Sequence, residues 1–430
     1  MNRLFLCIIL SIACLCANGQ KQTKSLQDYI ELAKQNSPLL YDYRNQIQIE
    51  QEELERLKTL YRHSRMELNG DLLFVPVISN DGENTSFKWN AQDAMDYYGY
   101  DLGESSGHIH AGVTWTQPLL GNSSYKVARQ QSRINTEIAD NNIRLEEHQL
   151  ERIVTEQYLL CLLDKANISF TDSIRNILEH QTKIVRRMVE SGLAKQSDLR
   201  LLNVEQETNS EQRLSFLQSY RTHLMDLNLL CGIEDTTNIM LENIEVEINP
   251  LFDGVESLFT EQYRLDSLNT EISLKSFNLQ YKPKLNLFVD AGTQTGRYSD
   301  WYKRFGMSAG LTFSWTIFDG GQKRQMEKQI KLKQNTIMAY HDNARRQRQI
   351  KVGQCLSEIE KFDKREDILN RQLYEYESIL SDYTKEIEAG QMSVLDYITV
   401  LRNRMQTVRD YLLVHTNRQI AIAAYNYWNN

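Results

Sequence analysis

The stretch Phe305–Ile317 reads FGMSAGLTFSWTI, and its side chains alternate without a break. Phe305, Met307, Ala309, Leu311, Phe313, Trp315 and Ile317 share one parity, while Gly306, Ser308, Gly310, Thr312, Ser314 and Thr316 share the other. A period of two sustained over this length predicts a β-strand with one apolar face and one face of small polar groups. The pattern recurs at Ile109, Ala111, Val113 and Trp115 against His110, Gly112, Thr114 and Thr116. Weaker runs precede each, Met66–Val77 before the first and Leu285, Leu287, Val289 and Ala291 before the second, so two hairpins are expected. Two settings give such strands: a membrane β-barrel with lipid outside and water inside, or a soluble sheet packed on helices. Four strands cannot close a barrel, for which about eight is the practical minimum. A membrane setting therefore requires several chains to pool their strands.

Outward from the strands, helix breakers vanish. The five prolines stand at positions 38, 76, 118, 250 and 283, and no glycine lies between Gly121 and Gly192, between Gly192 and Gly232, or after Gly390. Between Gly321 and Gly390 only Gly353 occurs. Such stretches, rich in Gln, Glu, Arg, Lys, Leu and Ile, predict very long helices. A helix of about 70 residues would run about 105 Å and needs packing partners along its length. Apolar residues are spaced for that at Ile177, Ile184, Met188 and Val189, and at Leu199, Leu202 and Leu214. An ordinary two-stranded coiled coil would use the same spacing.

The chain also repeats itself at a single offset of 198 residues. This offset carries Ile109, Ala111, Gly112, Val113 and Trp115 onto Met307, Ala309, Gly310, Leu311 and Phe313. It carries Leu119 and Leu120 onto Ile317 and Phe318, Val189–Gly192 onto Ile387–Gly390, and Asp198 onto Asp396. Each repeat reads helix, strand, loop, strand, long helix, turn at Gly192 or Gly390, helix. The expected organisation is a first repeat over 20–235, a linker over 236–250 and a second repeat over 251–430. The strand loops, Asn80–Gly107 and Gly296–Lys303, lie at the end opposite the glycine turns in this reading, facing outward if the strands cross an outer membrane.

Residues 1–19 have a basic start, an apolar run from Leu4 to Cys16 too short for a bilayer span, and small residues ahead of a cut after Gly19. That is a secretory signal peptide. Cys14 and Cys16 raise acylation as an alternative, without the Leu usual three residues upstream. The remaining cysteines, Cys161, Cys231 and Cys355, have no metal or redox spacing and read as buried thiols on helices. Acidic residues number 57 and basic ones 49, mixed along the chain, which argues against nucleic acid as a partner.

Together these motifs resemble the TolC family of outer-membrane efflux and secretion channels. The run FSWTIFDGGQKR, Phe313–Arg324, is similar to the family's strand-to-helix junction, with Thr316 where the family usually has proline. QPLLGN, Gln117–Asn122, is its looser counterpart. LQDYIELAKQNSPLL, Leu26–Leu40, resembles the opening helix and its asparagine-proline turn, here interrupted by Ser37. The turns SGLAKQSDL from Ser191 and AGQMSVLDY from Ala389 resemble the family's glycine followed six residues later by aspartate. The resemblance implies a mainly α chain with membrane β, forming a homotrimer. A 12-stranded β-barrel in outer-membrane lipid would continue into a long periplasmic α-helical barrel, with two internal repeats per chain. It implies a Gram-negative export duct without chemistry of its own. A periplasmic adaptor (a membrane fusion protein) would link it to an inner-membrane transporter of RND, ABC or MFS type.

Residue by residue, the resemblance makes Asp396 and Asp198 the periplasmic gate. Each also suits the first turn of a helix without any gate, and Ser393–Asp396 reads as a capping box. The family's second acidic position is Thr399 here. Gly192 and Gly390 read as αL turn residues, and the resemblance adds adaptor docking at Gly192, Leu193, Ala194, Gly390, Gln391 and Met392. Val113, Trp115, Leu311, Phe313 and Trp315 are the expected lipid-facing side chains. His108, His110 and Asp290 could suggest a metal, but no third ligand type is indicated and both histidines read as solvated on the polar strand face. No catalytic constellation and no cofactor motif is present in the sequence. The competing function is a periplasmic coiled-coil adaptor or scaffold of an export complex, which would need neither the two alternating hairpins nor the constant offset.

Overall fold

The computed structural model describes residues 23–74, 77–80, 85–88, 107–234, 240–251, 257–295, 298–303, 305–389, 391 and 393–429. The signal-peptide expectation, and Gly390 and Met392 of the docking set, lie outside them. In chain order the elements are β1 (Thr23–Lys24), α1 (Leu26–Asn36), α2 (Pro38–Arg62), β2 (Arg65–Phe74), β3 (Val77–Asn80), β4 (Thr85–Lys88) and β5 (Gly107–Pro118). There follow α3 (Asn122–Glu190), α4 (Gln196–Leu230), β6 (Met240–Leu241), α5 (Leu258–Asn278), β7 (Lys284–Thr295), β8 (Phe305–Ser314), α6 (Gln322–Glu388) and α7 (Val394–Trp428). Short 3-10 turns occupy Leu279–Tyr281 and Tyr298–Lys303. The expected long helices form where Pro and Gly are absent: α3 has 69 residues and α6 has 67, while α4 and α7 have 35 each. Two compact units result. The first takes its described residues from Met1–Arg44, Asn141–Glu261 and His341–Asn430, the second from Asn45–Asp140 and Gln262–Tyr340.

In the second unit a four-stranded antiparallel sheet runs in the order β2-β5-β7-β8. Both expected hairpins are present, and β5 pairs with β7 to join them. Two details differ from the sequence reading. A small hairpin forms across the start of the expected loop Asn80–Gly107, pairing β3, which ends at Asn80, with β4 inside it. And β8 ends at Ser314, opposite Lys284, rather than continuing to Ile317. Pro283 precedes Lys284 and has no N–H to give, so the ladder stops there. Trp315 instead donates its indole N–H to the carbonyl of Tyr281 at 3.1 Å.

Asp319 then starts α6. Its carboxylate accepts from the backbone N–H groups of Gly321 and Lys323, both at 2.8 Å, and from the Tyr281 hydroxyl at 2.6 Å. These bonds hold the Asp319 carboxyl below the usual carboxylate range, the Tyr281 hydroxyl contributing most. Gly320 and Gly321 sit at φ +66° and +88°, a left-handed turn that side chains resist. The DGG motif is therefore a turn and a helix cap in three residues.

In the first unit the helices bury three apolar clusters. One joins Tyr29, Ile30 and Ala33 of α1 to Val154, Tyr158 and Cys161 of α3 and to Leu224 and Leu227 of α4. The Asn36 side chain donates to the carbonyl of Cys231 at 2.7 Å, and the Tyr158 hydroxyl donates to the carbonyl of Glu242 at 2.7 Å, beside the parallel β1–β6 pair. A second gathers the turn-ward ends of four helices: Ile174, Leu178 and Val185 of α3, Leu202 of α4, Ile387 of α6, and Val394, Tyr397, Ile398, Leu401 and Met405 of α7. The third packs Cys355 and Ile359 of α6 on Ala421, Ile422 and Tyr425 of α7. All three cysteines outside the first 22 residues are buried free thiols, and burial pushes those of Cys161 and Cys231 up to about 12. Cys231 differs from expectation only in standing at the C-cap of α4 instead of inside it.

Candidate functional site

The strand register carries the alternation across the whole sheet. Leu68, Val113, Ala291 and Met307 form one cross-strand row, and Met66, Trp115, Val289 and Ala309 another. Leu311 and Phe313 lie on the same face, opposite Leu287 and Leu285. This face is uncovered: Leu68 is 83% exposed, Met307 77%, Leu311 63% and Phe313 62%. Burying such side chains is worth about 1.5–3 kcal/mol each, so a sheet left this way in water is an unfinished structure. Among the described residues β2 and β8 each pair on one side only, leaving two open edges. Of the expected lipid-facing set, Val113, Trp115, Leu311 and Phe313 share this face, and Trp315 follows the end of β8.

The other face carries Glu67, Asn69, Asp71, His110, Thr114, Asp290, Ser308 and Thr312. Phe288 breaks the alternation on this side. Its ring lies over Gly310, where a Cβ would approach within 2.8 Å of it. The aromatic thus covers a glycine on the neighbouring strand, which a single-strand reading cannot detect. His110 is not solvated as expected. It is 19% exposed, with Nε2 3.3 Å from Asp290 Oδ1. Among the described residues no group of three or more His, Cys, Asp or Glu is disposed to hold a metal.

In the other unit, the turn from α3 to α4 is closed by Gly192 at φ +73°, with Leu193 N–H donating to the Met188 carbonyl at 2.7 Å and Gly192 N–H to Val189 at 3.1 Å. This is the expected αL cap. Leu193 is exposed, while Ala194 packs against the four-helix cluster. Gln391 is exposed and donates its N–H to the Glu386 carbonyl.

The two aspartates differ in their surroundings. Asp198 is half-buried and accepts the Lys195 N–H at 3.1 Å, so it caps α4 from within. At α7 the Ser393 hydroxyl accepts from Leu395 N–H, and the expected capping box with Asp396 does not form. Ser393 reaches the nearer N–H and leaves the carboxylate unused. Asp396 is exposed; its backbone N–H donates to the Ser393 carbonyl at 3.2 Å, and no described side chain pairs with its carboxylate. Thr399 bonds its own helix at the Leu395 carbonyl.

Sequence reading missed one pair here. Glu205 of α4, its side chain 3% exposed, meets Arg402 of α7 at 2.6 Å. A carboxylate three residues after Leu202 on an apolar stripe was the available signal. Among the described residues no helix is long and apolar enough to cross a membrane.

No family model matches the chain, and no curated protein matches it by sequence. Solved structures do. The outer-membrane protein VceC of Vibrio cholerae superposes with a TM-score of 0.70 at 12% identity, over 94% of this chain and 96% of that one. The open-state MtrE outer-membrane channel of Neisseria gonorrhoeae gives 0.68 at 15% identity, over 94% and 88%. The CmeC outer-membrane channel of Campylobacter jejuni gives 0.67 at 12%, over 94% and 85%. The chain has the fold of these outer-membrane channels. In a single chain this mostly helical fold with a few strands is what the resemblance to the TolC family implied, and it spans nearly the full length of the channel chains it matches. The uncovered sheet and the helical turns occupy one chain of that channel fold, and the neighbours named are channels rather than enzymes.

Proposed function

We propose that the protein is a member of the TolC family and serves as the outer-membrane exit duct of an export system. In this reading three copies pool their strands into one 12-stranded barrel. The observation that carries it is the uncovered apolar face on a sheet with two open edges. Lipid satisfies the face, and edge pairing with neighbouring copies satisfies the strands. The likeness to channel structures supports the same reading.

The equal lengths of α4 and α7 support two structural repeats, over 20–235 and 251–430, joined by the linker 236–250. The α-helices would form the periplasmic barrel, with turns at Gly192 and Gly390. There Leu193, Ala194, Gln391 and Met392 would meet a periplasmic adaptor, which couples the duct to an inner-membrane transporter. Asp396 is the better gate residue of the two, because its carboxylate is not engaged in a cap while that of Asp198 is. A ring of carboxylates in a narrow pore attracts cations and resists anions.

The test is conductance in planar bilayers. The full-length protein should insert as a trimer and conduct, with Asp396→Asn lowering cation selectivity and weakening block by multivalent cations, at little change in trimer stability. A chain that stays monomeric and forms no channel would overturn the duct. Unchanged selectivity in Asp396→Asn would remove the gate assignment alone.

A further inference from the structure

The polar face of the sheet holds a connected set of side chains drawn from three strands. Thr114 of β5 donates its hydroxyl to Asp290 Oδ2 of β7 at 2.6 Å, and Asn69 of β2 donates its amide N–H to Thr114 Oγ1 at 3.0 Å. His110 of β5 stands between two carboxylates, with Nε2 3.3 Å from Asp290 Oδ1 and Nδ1 3.6 Å from Asp71 Oδ2 of β2. In register, Glu67, Thr114, Asp290 and Ser308 form one row across all four strands, and Asp71 lies opposite His110.

The charged groups facing this set can be named strand by strand. On β2 they are Arg65, Glu67 and Asp71, of which Arg65 and Glu67 pair at 2.9 Å. On β7 they are Asp290 and Lys284, the latter six residues away at the start of the strand, about 20 Å along it. Among the described side chains of this face β8 contributes none, offering Gly306, Ser308, Gly310, Thr312 and Ser314. Among the described side chains, the nitrogen base nearest to Asp290 and Asp71 is His110, at 3.3 and 3.6 Å. The Thr114 and His110 bonds hold the Asp290 carboxylate in one position on the face instead of leaving it to swing.

We propose that Asp290, fixed by Thr114 and His110, sets the ionic preference of the strand-lined part of the duct. The proposal rests on the duct reading, in which the polar face lines water and each of three chains contributes one such set. A fixed carboxylate on the lumen wall favours cations over anions. This selectivity is separate from that of Asp396, which belongs to the other unit.

The experiment is the K+ over Cl− permeability ratio of the full-length protein in planar bilayers, from reversal potentials in a KCl gradient at pH 7.5. It is run in wild type and in an Asp396→Asn background, so that the helical end does not mask the barrel. Asp290→Asn should lower the ratio about threefold, the size of effect expected of one charge per chain in a screened pore. Thr114→Val, which removes the hydroxyl that holds the carboxylate and keeps its charge, should lower it by less. If Asp290→Asn does not assemble, Thr114→Val decides. Conducting channels in which Asp290→Asn, or in its absence Thr114→Val, keeps the full wild-type ratio would overturn this proposal and leave the duct standing. Wild-type protein without conductance would overturn both.

Discussion

The sheet and the turn-ward ends of the helices solve the same problem in opposite ways. Around the turns, apolar side chains from four helices close on one another: Leu401 and Leu202 are 0% exposed and Ile387 1%. That core is complete within one chain. On the sheet, Leu311 and Phe313 are as apolar and remain more than 60% exposed, on a strand whose outer edge has no partner among the described residues. The difference teaches where this chain depends on its surroundings. The helical ends carry their own solvent-free interior, whereas the strands leave an apolar face and, among the described residues, two edges unsatisfied, which lipid and further strands would satisfy in the proposed duct.

The largest expected effect lies on the strands. Leu311→Asp or Phe313→Asp places a charge on the face that the duct reading assigns to lipid, at a cost somewhat below the ~2–4 kcal/mol of a basic residue at mid-membrane, paid in every copy. Loss of heat-sensitive oligomers from outer-membrane fractions should follow, while Ser308→Asp and Thr312→Asp, on the polar face, should assemble. Equal behaviour of the two classes would dissolve the distinction between the faces.

A smaller effect is expected at the helical end. Leu401→Ala removes a fully buried side chain from the four-helix cluster and should cost about 3 kcal/mol, read as a lower midpoint in thermal or denaturant unfolding. Since that core is internal to the chain, the loss should appear even where assembly is prevented by Leu311→Asp. A loss seen only in the assembled protein would mean that this core, too, is completed by neighbours.

The smallest effect concerns the junction between strand and helix. The folded-state carboxyl of Asp319 is held below its ordinary value by the Tyr281 hydroxyl and the N–H groups of Lys323 and Gly321. Its contribution is therefore present above about pH 4, the ordinary Asp value, and is lost as pH falls through the lower folded value. Oligomer stability followed from pH 6 to pH 3 should decline in wild type, and Asp319→Asn should start lower and lack that part of the decline. Superimposable pH curves would show that the cap does not couple to stability.

What could be read from the sequence was what is local. Alternation at Phe305–Ser314 and at Ile109–Thr116 declared strands and their two faces, because each residue's side is fixed by its own position in the pleat. The helix ends at Gly192 and Ser37 were visible for the same reason, one as a left-handed turn, the other as the break before Pro38. What could not be read depends on which residues meet across elements. Phe288 departs from the alternation, and the room for its ring is made by Gly310 on the neighbouring strand. His110 read as solvated because its partners, Asp290 and Asp71, lie on other strands. Glu205 and Arg402 are 197 residues apart in sequence, and only the packing of α4 on α7 pairs them. The capping box at Ser393 failed on a smaller matter, since two backbone N–H groups compete for one hydroxyl.

The facing of β8 tests the account most directly. Spin labels placed singly from Phe305 to Ser314 in protein reconstituted into lipid vesicles report collision with oxygen, which concentrates in lipid, and with a water-soluble nickel chelate. The account predicts opposite alternation of the two: oxygen access peaks at 307, 309, 311 and 313, and nickel access at 308, 310, 312 and 314. High nickel access at every position, or protein that remains outside the lipid as a soluble monomer, would contradict it.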